Sequence, residues 1–137
     1  MEAKGLTPIL NVSNIVESFA WFEKLGWRKG FEWGTPPTFG AVSSGSCEIF
    51  LCHDGQGGRG KSTNPSTRTQ DGDSDDRGVW MSVWVADADA THRHCLEQGL
   101  EVSFPPTNEP WGVREMHVRH PDGHVFRISQ GTDCDET

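Results

Sequence analysis

The chain has 137 residues, a length that suits one domain that buries about two-thirds of its unfolded surface. It has 20 acidic side chains, 12 Lys and Arg side chains and a formal net charge of −8. This charge disfavours nucleic-acid binding, which needs cations opposite phosphates. No apolar run approaches the roughly 20 residues of a membrane span and no signal-peptide pattern is present, so we expect a cytoplasmic protein with reduced cysteines.

Two segments, 6–31 and 79–104, align without a gap when the sequence is shifted by 73 residues. Each begins with a short apolar run typical of a buried strand. Asn14 or Asp87 follows as a candidate helix N-cap, and apolar residues then recur at helical spacing. The helix is expected to end at Gly26 in the first copy and at Gly99 in the second, each in the left-handed conformation. A further strand follows, so the repeat indicates a duplicated strand–helix–strand unit.

After each copy two more strands are predicted, at 38–43, 47–52, 112–119 and 124–129. The last two are joined by a Pro-Asp-Gly turn, which places the flanking His120 and His124 in water. The predicted fold is therefore α+β, with two βαβββ modules. They occupy about residues 5–53 and 79–131 of a single domain, 1–137.

Residues 54–78 separate the modules and contain no aliphatic or aromatic side chain. Such a segment cannot offset its ordering entropy by burying apolar surface, so a flexible linker is expected. Residues 55–62 match the phosphate-loop pattern G-x-x-x-x-G-K-S. No helical pattern follows to hold a phosphate at its N-terminus, so nucleotide binding is not predicted.

Four motifs stand out along the chain: PIL, WFEKLG, EPWGVRE and RHPDGH, at 8–10, 21–26, 109–115 and 119–124. Together they resemble the vicinal oxygen chelate superfamily of glyoxalase, extradiol dioxygenase and bleomycin-resistance proteins, most closely the bleomycin-resistance branch. The resemblance implies incomplete barrel halves built from paired βαβββ modules, with a concave sheet enclosing a cavity. A homodimer is expected, because each module leaves strand edges that a second copy can cover. Swapped and unswapped arrangements remain open.

Metal-dependent members of that superfamily take ligands from the first strand of each module and from the last strand. The matching positions here are Thr7, Trp80 and Arg127. None of these side chains is a carboxylate or an imidazole, the groups that such sites require. We therefore predict no metal, no cofactor and none of the metal-dependent chemistry of the family.

Alternation along strands predicts which side chains of the second module face the cavity. The inward candidates are Trp80, Ser82 and Arg127, and the family resemblance implies that Glu115 and His117 on the neighbouring strand face the same side. A buried arginine without a partner would lower the stability of the fold, so Glu115 is expected to pair with Arg127. The pair would either stabilise the interior or contact a ligand. An inward histidine such as His117 is more often a hydrogen-bonded side chain than a general base.

Trp111 lies between a proline and a glycine in a predicted loop, where an exposed indole needs a surface to pack on. The matching tryptophan of the bleomycin-resistance branch stacks on the drug, so ligand contact is expected for Trp111. The opposite wall is assigned to aromatic residues around a Gly-Thr-Pro-Pro loop, with core packing left open for the two phenylalanines: Phe31, Trp33 and Phe39.

The predicted function is metal-free binding and sequestration of a small natural product or antibiotic, aromatic or heteroaromatic, as in drug resistance. The 6 Trp and 7 Phe residues supply flat apolar walls for such a ligand. Sequestration requires no catalytic group, so an enzyme is the less favoured interpretation. The alternative is a metal-independent lyase or isomerase of a natural-product intermediate, with Glu115 or His117 as acid–base.

Overall fold

The computed structural model describes residues 1–53 and 78–131. Ten elements follow one another along the chain: β1 (Ile9–Val12), α1 (Ile15–Leu25), β2 (Arg28–Trp33), β3 (Phe39–Ser44), β4 (Cys47–His53), β5 (Trp80–Trp84), α2 (Ala88–Glu97), β6 (Glu101–Glu109), β7 (Val113–Arg119) and β8 (Val125–Gly131). This order is βαβββ twice, which confirms the predicted fold class. The linker predicted at 54–78, with its phosphate-loop pattern, lies outside the described residues except for Gly78.

Each module forms a four-stranded sheet, in the order β1-β4-β3-β2 or β5-β8-β7-β6. The outer strand β1 runs parallel to β4, and β5 runs parallel to β8. The remaining neighbours are antiparallel. A parallel pair needs a crossover connection, and the helix of each module lies in that crossover.

The sequence repeat is a structural repeat, since α1 begins at Ile15 and α2 at Ala88, 73 residues later. The side chain of Asn14 accepts a hydrogen bond from the Glu17 N–H and caps α1, and Asp87 caps α2 in the same way. Each cap is worth about 1 kcal/mol. Gly26 ends α1 with φ 107°, a conformation that strains residues with a Cβ. Among the described residues, no helix is long and apolar enough to cross a membrane.

One hydrophobic core joins the two modules on the helix side of both sheets. Phe22 of α1 is fully buried and packs edge-on against Phe126 of β8, with ring centroids 5.6 Å apart. Trp21 contacts the same ring at 5.5 Å. Both sheets turn the faces that carry α1 and α2 to this core. The opposite face of each sheet carries neither of these two helices, and we call it the helix-free face.

The turn between β7 and β8 is buried against the first module, so the prediction that its histidines face water is wrong. His120 is 1% exposed and His124 is 0% exposed. The Nε2 atom of His120 lies 3.0 Å from the hydroxyl of Ser18 in α1, and His124 Nε2 donates to the carbonyl of Asn11 at 2.9 Å. The turn residues predict a tight reversal correctly, but their burial depends on docking against α1 and β1.

Further polar atoms of this turn are also paired. His120 Nδ1 accepts from the Asp122 N–H at 2.9 Å, and His124 Nδ1 accepts from the Val79 N–H at 3.0 Å. The Asp122 carboxylate accepts from the N–H and hydroxyl of Ser13, at 2.9 and 2.8 Å. Burial lowers the pKa of His120 to about 4 and also lowers the pKa of His124. Both rings are therefore neutral at pH 7. The turn at residues 120–124 links the second module to the first, and we call it the clasp.

Candidate functional site

The helix-free face of the second sheet collects all of the inward candidates predicted for that module. In the register of the strands, Ser82 of β5 and His117 of β7 both lie opposite Arg127 of β8. Side chains two residues apart on a strand share a face, so Trp80 and Glu115 lie on this face as well. Strand alternation predicts this shared face for Trp80 and Ser82, and the family resemblance implies it for Glu115 and His117.

Glu115 lies at the centre of this cluster and is 4% exposed. Its Oε1 accepts from Arg127 Nη2 at 2.7 Å, as the sequence led us to expect, and its Oε2 accepts from His117 Nε2 at 2.9 Å. The hydrogen bond from Arg127 lowers the pKa of Glu115, burial opposes that effect, and the bond from His117 adds to the lowering. The carboxylate is therefore ionised at neutral pH. We call Arg127, Glu115 and His117 the triad.

Aromatic rings surround the triad. The His117 ring lies 4.8 Å from the ring of Phe104 on β6 and 5.3 Å from that of Trp80, centroid to centroid. The Arg127 guanidinium lies 5.9 Å from the Trp80 centroid, in the range of a cation–π contact. Phe104 was not among the predicted site residues. Its pairing opposite His117 places it here, next to irregularities in the β6–β7 register that disturb simple alternation.

The helix-free face of the first sheet is an aromatic surface. Phe31, Phe39 and Phe50 contact one another, with centroids 5.3–6.1 Å apart. Trp33 lies opposite Phe39 in the register and is 70% exposed, and Ile9 pairs opposite Phe50. The predicted wall of Phe31, Trp33 and Phe39 is thus on one face. Phe50 was missed, although the predicted strand 47–52 contained it.

The described part of the chain does not bring these two faces together. Phe31 and Phe39 make their ring contacts inside the first sheet, and Trp80 makes its contacts inside the second. The shared core lies on the other side of both sheets. Large apolar side chains on the two faces consequently remain exposed: Ile9, Phe31, Trp33, Trp80 and Trp84. A single chain therefore presents two open half-sites, and not the enclosed box expected from the sequence.

Trp111 lies in the tight turn between β6 and β7, as expected for a loop residue. The turn is closed by a 3.1 Å hydrogen bond from the Gly112 N–H to the Glu109 carbonyl, and Gly112 has φ 89°. The indole is 63% exposed.

The three positions that the resemblance implies for metal ligands do not fit a metal here. Arg127 places a guanidinium at one of them, and that cation is committed to Glu115. Trp80 and Thr7, at the other two, supply neither a carboxylate nor an imidazole. Within residues 1–53 and 78–131, no group of three or more His, Cys, Asp or Glu side chains is arranged to hold a metal ion.

Comparison with known proteins gives one family match. The model described as the Glyoxalase/Bleomycin resistance protein/Dioxygenase superfamily matches residues 6–128. No curated protein matches the chain in sequence.

Among solved structures, TioX from Micromonospora sp. ML1 is similar with a TM-score of 0.70 and 17% identity, covering 93% of this chain and 99% of that chain. A bleomycin resistance determinant encoded on the transposon Tn5 has a TM-score of 0.68 and 18% identity, covering 94% and 98%. A bleomycin-binding protein complexed with bleomycin has a TM-score of 0.66 and 17% identity, covering 94% and 99%. At these identities the likeness is one of fold.

Proposed function

The chain belongs to the Glyoxalase/Bleomycin resistance protein/Dioxygenase superfamily, and we propose that it binds and sequesters a flat aromatic or heteroaromatic natural product, without a metal, in the cytoplasm. The proposal rests chiefly on the exposed aromatic side chains of the two helix-free faces. Two proteins of similar fold are a bleomycin resistance determinant and a bleomycin-binding protein. An antibiotic is therefore the first ligand class to test.

The exposed rings support a binding role because they are costly to leave in water. Trp33 and Trp80 are 70% and 59% exposed, and each lies beside further aromatic rings. Contiguous apolar patches of this kind are unusual on monomers and mark surfaces that bind something. Flat rings with a few polar groups are the usual lining of pockets for planar ligands, and the triad supplies the polar groups.

We further propose that the binding unit is a homodimer. The aromatic face of the first module and the triad face of the second belong to different half-sites of one chain. A second copy can place its first-module face over the triad face of its partner, and the twofold relation then completes two equal sites. In this arrangement each ligand would lie between Trp33 of one chain and Trp80 of the other.

Ligand titration tests the proposal directly. Purified protein is titrated with metal-free bleomycin and with a panel of planar heteroaromatic antibiotics, following tryptophan fluorescence and the melting temperature. We expect at least one compound to quench the fluorescence and raise the melting temperature. Trp33→Ala should abolish the response, whereas Leu96→Ala, on the exposed surface of α2, should preserve it. A response that survives Trp33→Ala would place the ligand elsewhere.

A second candidate function, a metal-independent lyase or isomerase, is favoured by one observation. The 2.9 Å hydrogen bond between His117 and Glu115 orients an imidazole on the helix-free face. Sequestration alone does not require an oriented imidazole, whereas acid–base chemistry does.

A further inference from the structure

His117 has a nitrogen that the protein does not use. An ionised carboxylate can only accept hydrogen bonds, so the 2.9 Å bond to Glu115 Oε2 requires the proton to be on His117 Nε2. His117 Nδ1 then carries a lone pair. None of the hydrogen bonds found among the described residues involves this atom. His117 is also partly exposed, with 17% of its side chain accessible.

The two histidines of the clasp provide an internal comparison. His120 and His124 are fully buried, and each uses both ring nitrogens in hydrogen bonds to the protein. That pattern is expected of a structural histidine, because an unpaired buried polar atom is costly. His117 instead has one nitrogen fixed by a carboxylate and one left over on an open face. Of these three histidines, His120 and His124 are therefore structural, whereas His117 is arranged differently.

Glu115 is itself held in place, so it can orient the imidazole rigidly. Arg127 Nη2 fixes its other oxygen at 2.7 Å, and the carboxylate is almost fully buried. Its second oxygen accepts the hydrogen bond from His117 Nε2 and thereby fixes the orientation of the ring. Glu115 is in this respect a positioning residue for His117.

Arg127 lies directly opposite His117 in the β7–β8 register and is partly exposed. Only one of its nitrogens bonds to Glu115, and its buried Nε has no partner within the part of the chain that the structure describes. The accessible part of Arg127, 29% of its side chain, can instead donate hydrogen bonds to negative charge that forms beside it. Trp80, which contacts both side chains, offers a flat surface for a ring.

We propose that the triad is a general-base site, in which His117 Nδ1 removes a weakly acidic proton from a planar ligand lying on Trp80. This inference rests on the proposed ligand site. The electron pair of the broken C–H bond moves onto an adjacent carbonyl oxygen of the ligand, giving an enolate that Arg127 stabilises. The imidazolium then returns the proton to another carbon of the ligand. The net result is an isomerisation that needs no other reactant.

The experiment uses 5-nitrobenzisoxazole, a flat heteroaromatic carbon acid, as its probe. A base removes the ring C–H proton, the C–H electron pair forms a nitrile, and the N–O bond breaks to release a coloured phenolate. Each turnover therefore transfers one proton to the base and from there to water. We expect the full-length protein to catalyse this elimination and His117→Gln to lower its kcat by about 100-fold or more, the range of a lost general base.

His92→Gln is the matched control, because it removes a histidine of α2 that is not part of the triad and should leave the rate unchanged. Glu115→Gln should also slow the reaction and should change the protonated nitrogen of His117, read from ¹⁵N shifts in histidine-labelled protein. A change in tautomer distinguishes positioning from a purely structural role of Glu115. Melting curves check folding, and His117→Asn replaces His117→Gln should the latter be unfolded.

Several results would overturn the proposal. One is a wild-type ring protonated on Nδ1. Another is a rate that His117→Gln leaves within twofold, and a third is no elimination above the buffer rate. Tryptophan quenching by the probe separates the two hypotheses: quenching without turnover removes the base but keeps the binding site. Absence of both quenching and turnover counts against the binding site as well.

Discussion

His120 Nε2 lies 3.0 Å from the Ser18 hydroxyl although the two residues are 102 positions apart in the chain. This contact anchors the turn of the second module on the first helix of the first module. The same histidine packs against the ring of Trp21, with centroids 5.0 Å apart. The clasp therefore depends on neutral imidazoles in an apolar setting, and its stability should depend on pH.

The first prediction is acid lability of the fold. Burial lowers the pKa of His120 from 6.5 to about 4 and also lowers that of His124. A group whose folded pKa is depressed in this way favours folding while it is neutral. The stability is complete above pH 6.5 and is lost as the pH falls from 6.5 towards 4, by on the order of 3 kcal/mol for His120.

Urea unfolding between pH 7.5 and 4 measures this loss, and NMR of the histidine rings assigns it. We expect the His120 ring to remain neutral at pH 5, where an ordinary histidine is protonated. A His120 ring that titrates near pH 6.5 would mean that the turn is open to water.

The second prediction concerns the ion pair of Arg127 and Glu115, joined at 2.7 Å. Arg127→Met leaves the buried carboxylate with His117 as its remaining side-chain partner among the described residues, and we expect a loss of about 2–4 kcal/mol of unfolding free energy. The double variant Arg127→Met, Glu115→Leu removes both charges and should recover much of that loss. Chemical unfolding of the single and double variants measures this coupling. Equal destabilisation by the single and double variants would show that the pair is not coupled.

The third prediction is that the first-module face forms the dimer contact. Trp33 is 70% exposed in the single chain, and a charge in its place would be buried if a partner covers it. Trp33→Asp should therefore shift sedimentation at micromolar concentration from dimer to monomer, with the melting temperature of the monomer little changed. Leu96→Asp, at an exposed apolar position on α2, should leave the dimer intact. A wild-type protein that sediments only as a monomer contradicts the proposed assembly.

The fourth prediction is that Trp111 contributes to ligand affinity and little to stability. Its indole is exposed in a tight turn, so Trp111→Ala should fold with an unchanged melting temperature. Loss of a stacked indole at a binding hot spot typically costs about 1–3 kcal/mol, or roughly ten- to a hundredfold in affinity. Titration of the variant with a ligand that quenches the wild-type fluorescence measures this change. A lower melting temperature with affinity intact would assign Trp111 to the core.

The elements of the fold could be predicted because their signals are local. Asn14 and Asp87 cap helices whose first residues are 73 positions apart, and the caps act on N–H groups only three residues away. The family resemblance placed Glu115 on the face of Arg127. Alternation placed Trp80 and Ser82 on one face, since side chains on a strand change sides at each residue. It did not identify Phe104, because register shifts in β6 interrupt the alternation on that strand.

Local patterns in the sequence predicted the two modules and the helix ends, and the family resemblance supplied the residues of the triad. The tertiary structure decided which nitrogens of His117, His120 and His124 are used and whether each ring is buried. It also decided that the two aromatic faces of one chain lie apart. These outcomes depend on contacts between distant residues, such as the bond from His124 to Asn11 across 113 positions. Hydrophobic period and turn chemistry describe neighbours along the chain, so they carry no information on which surfaces dock.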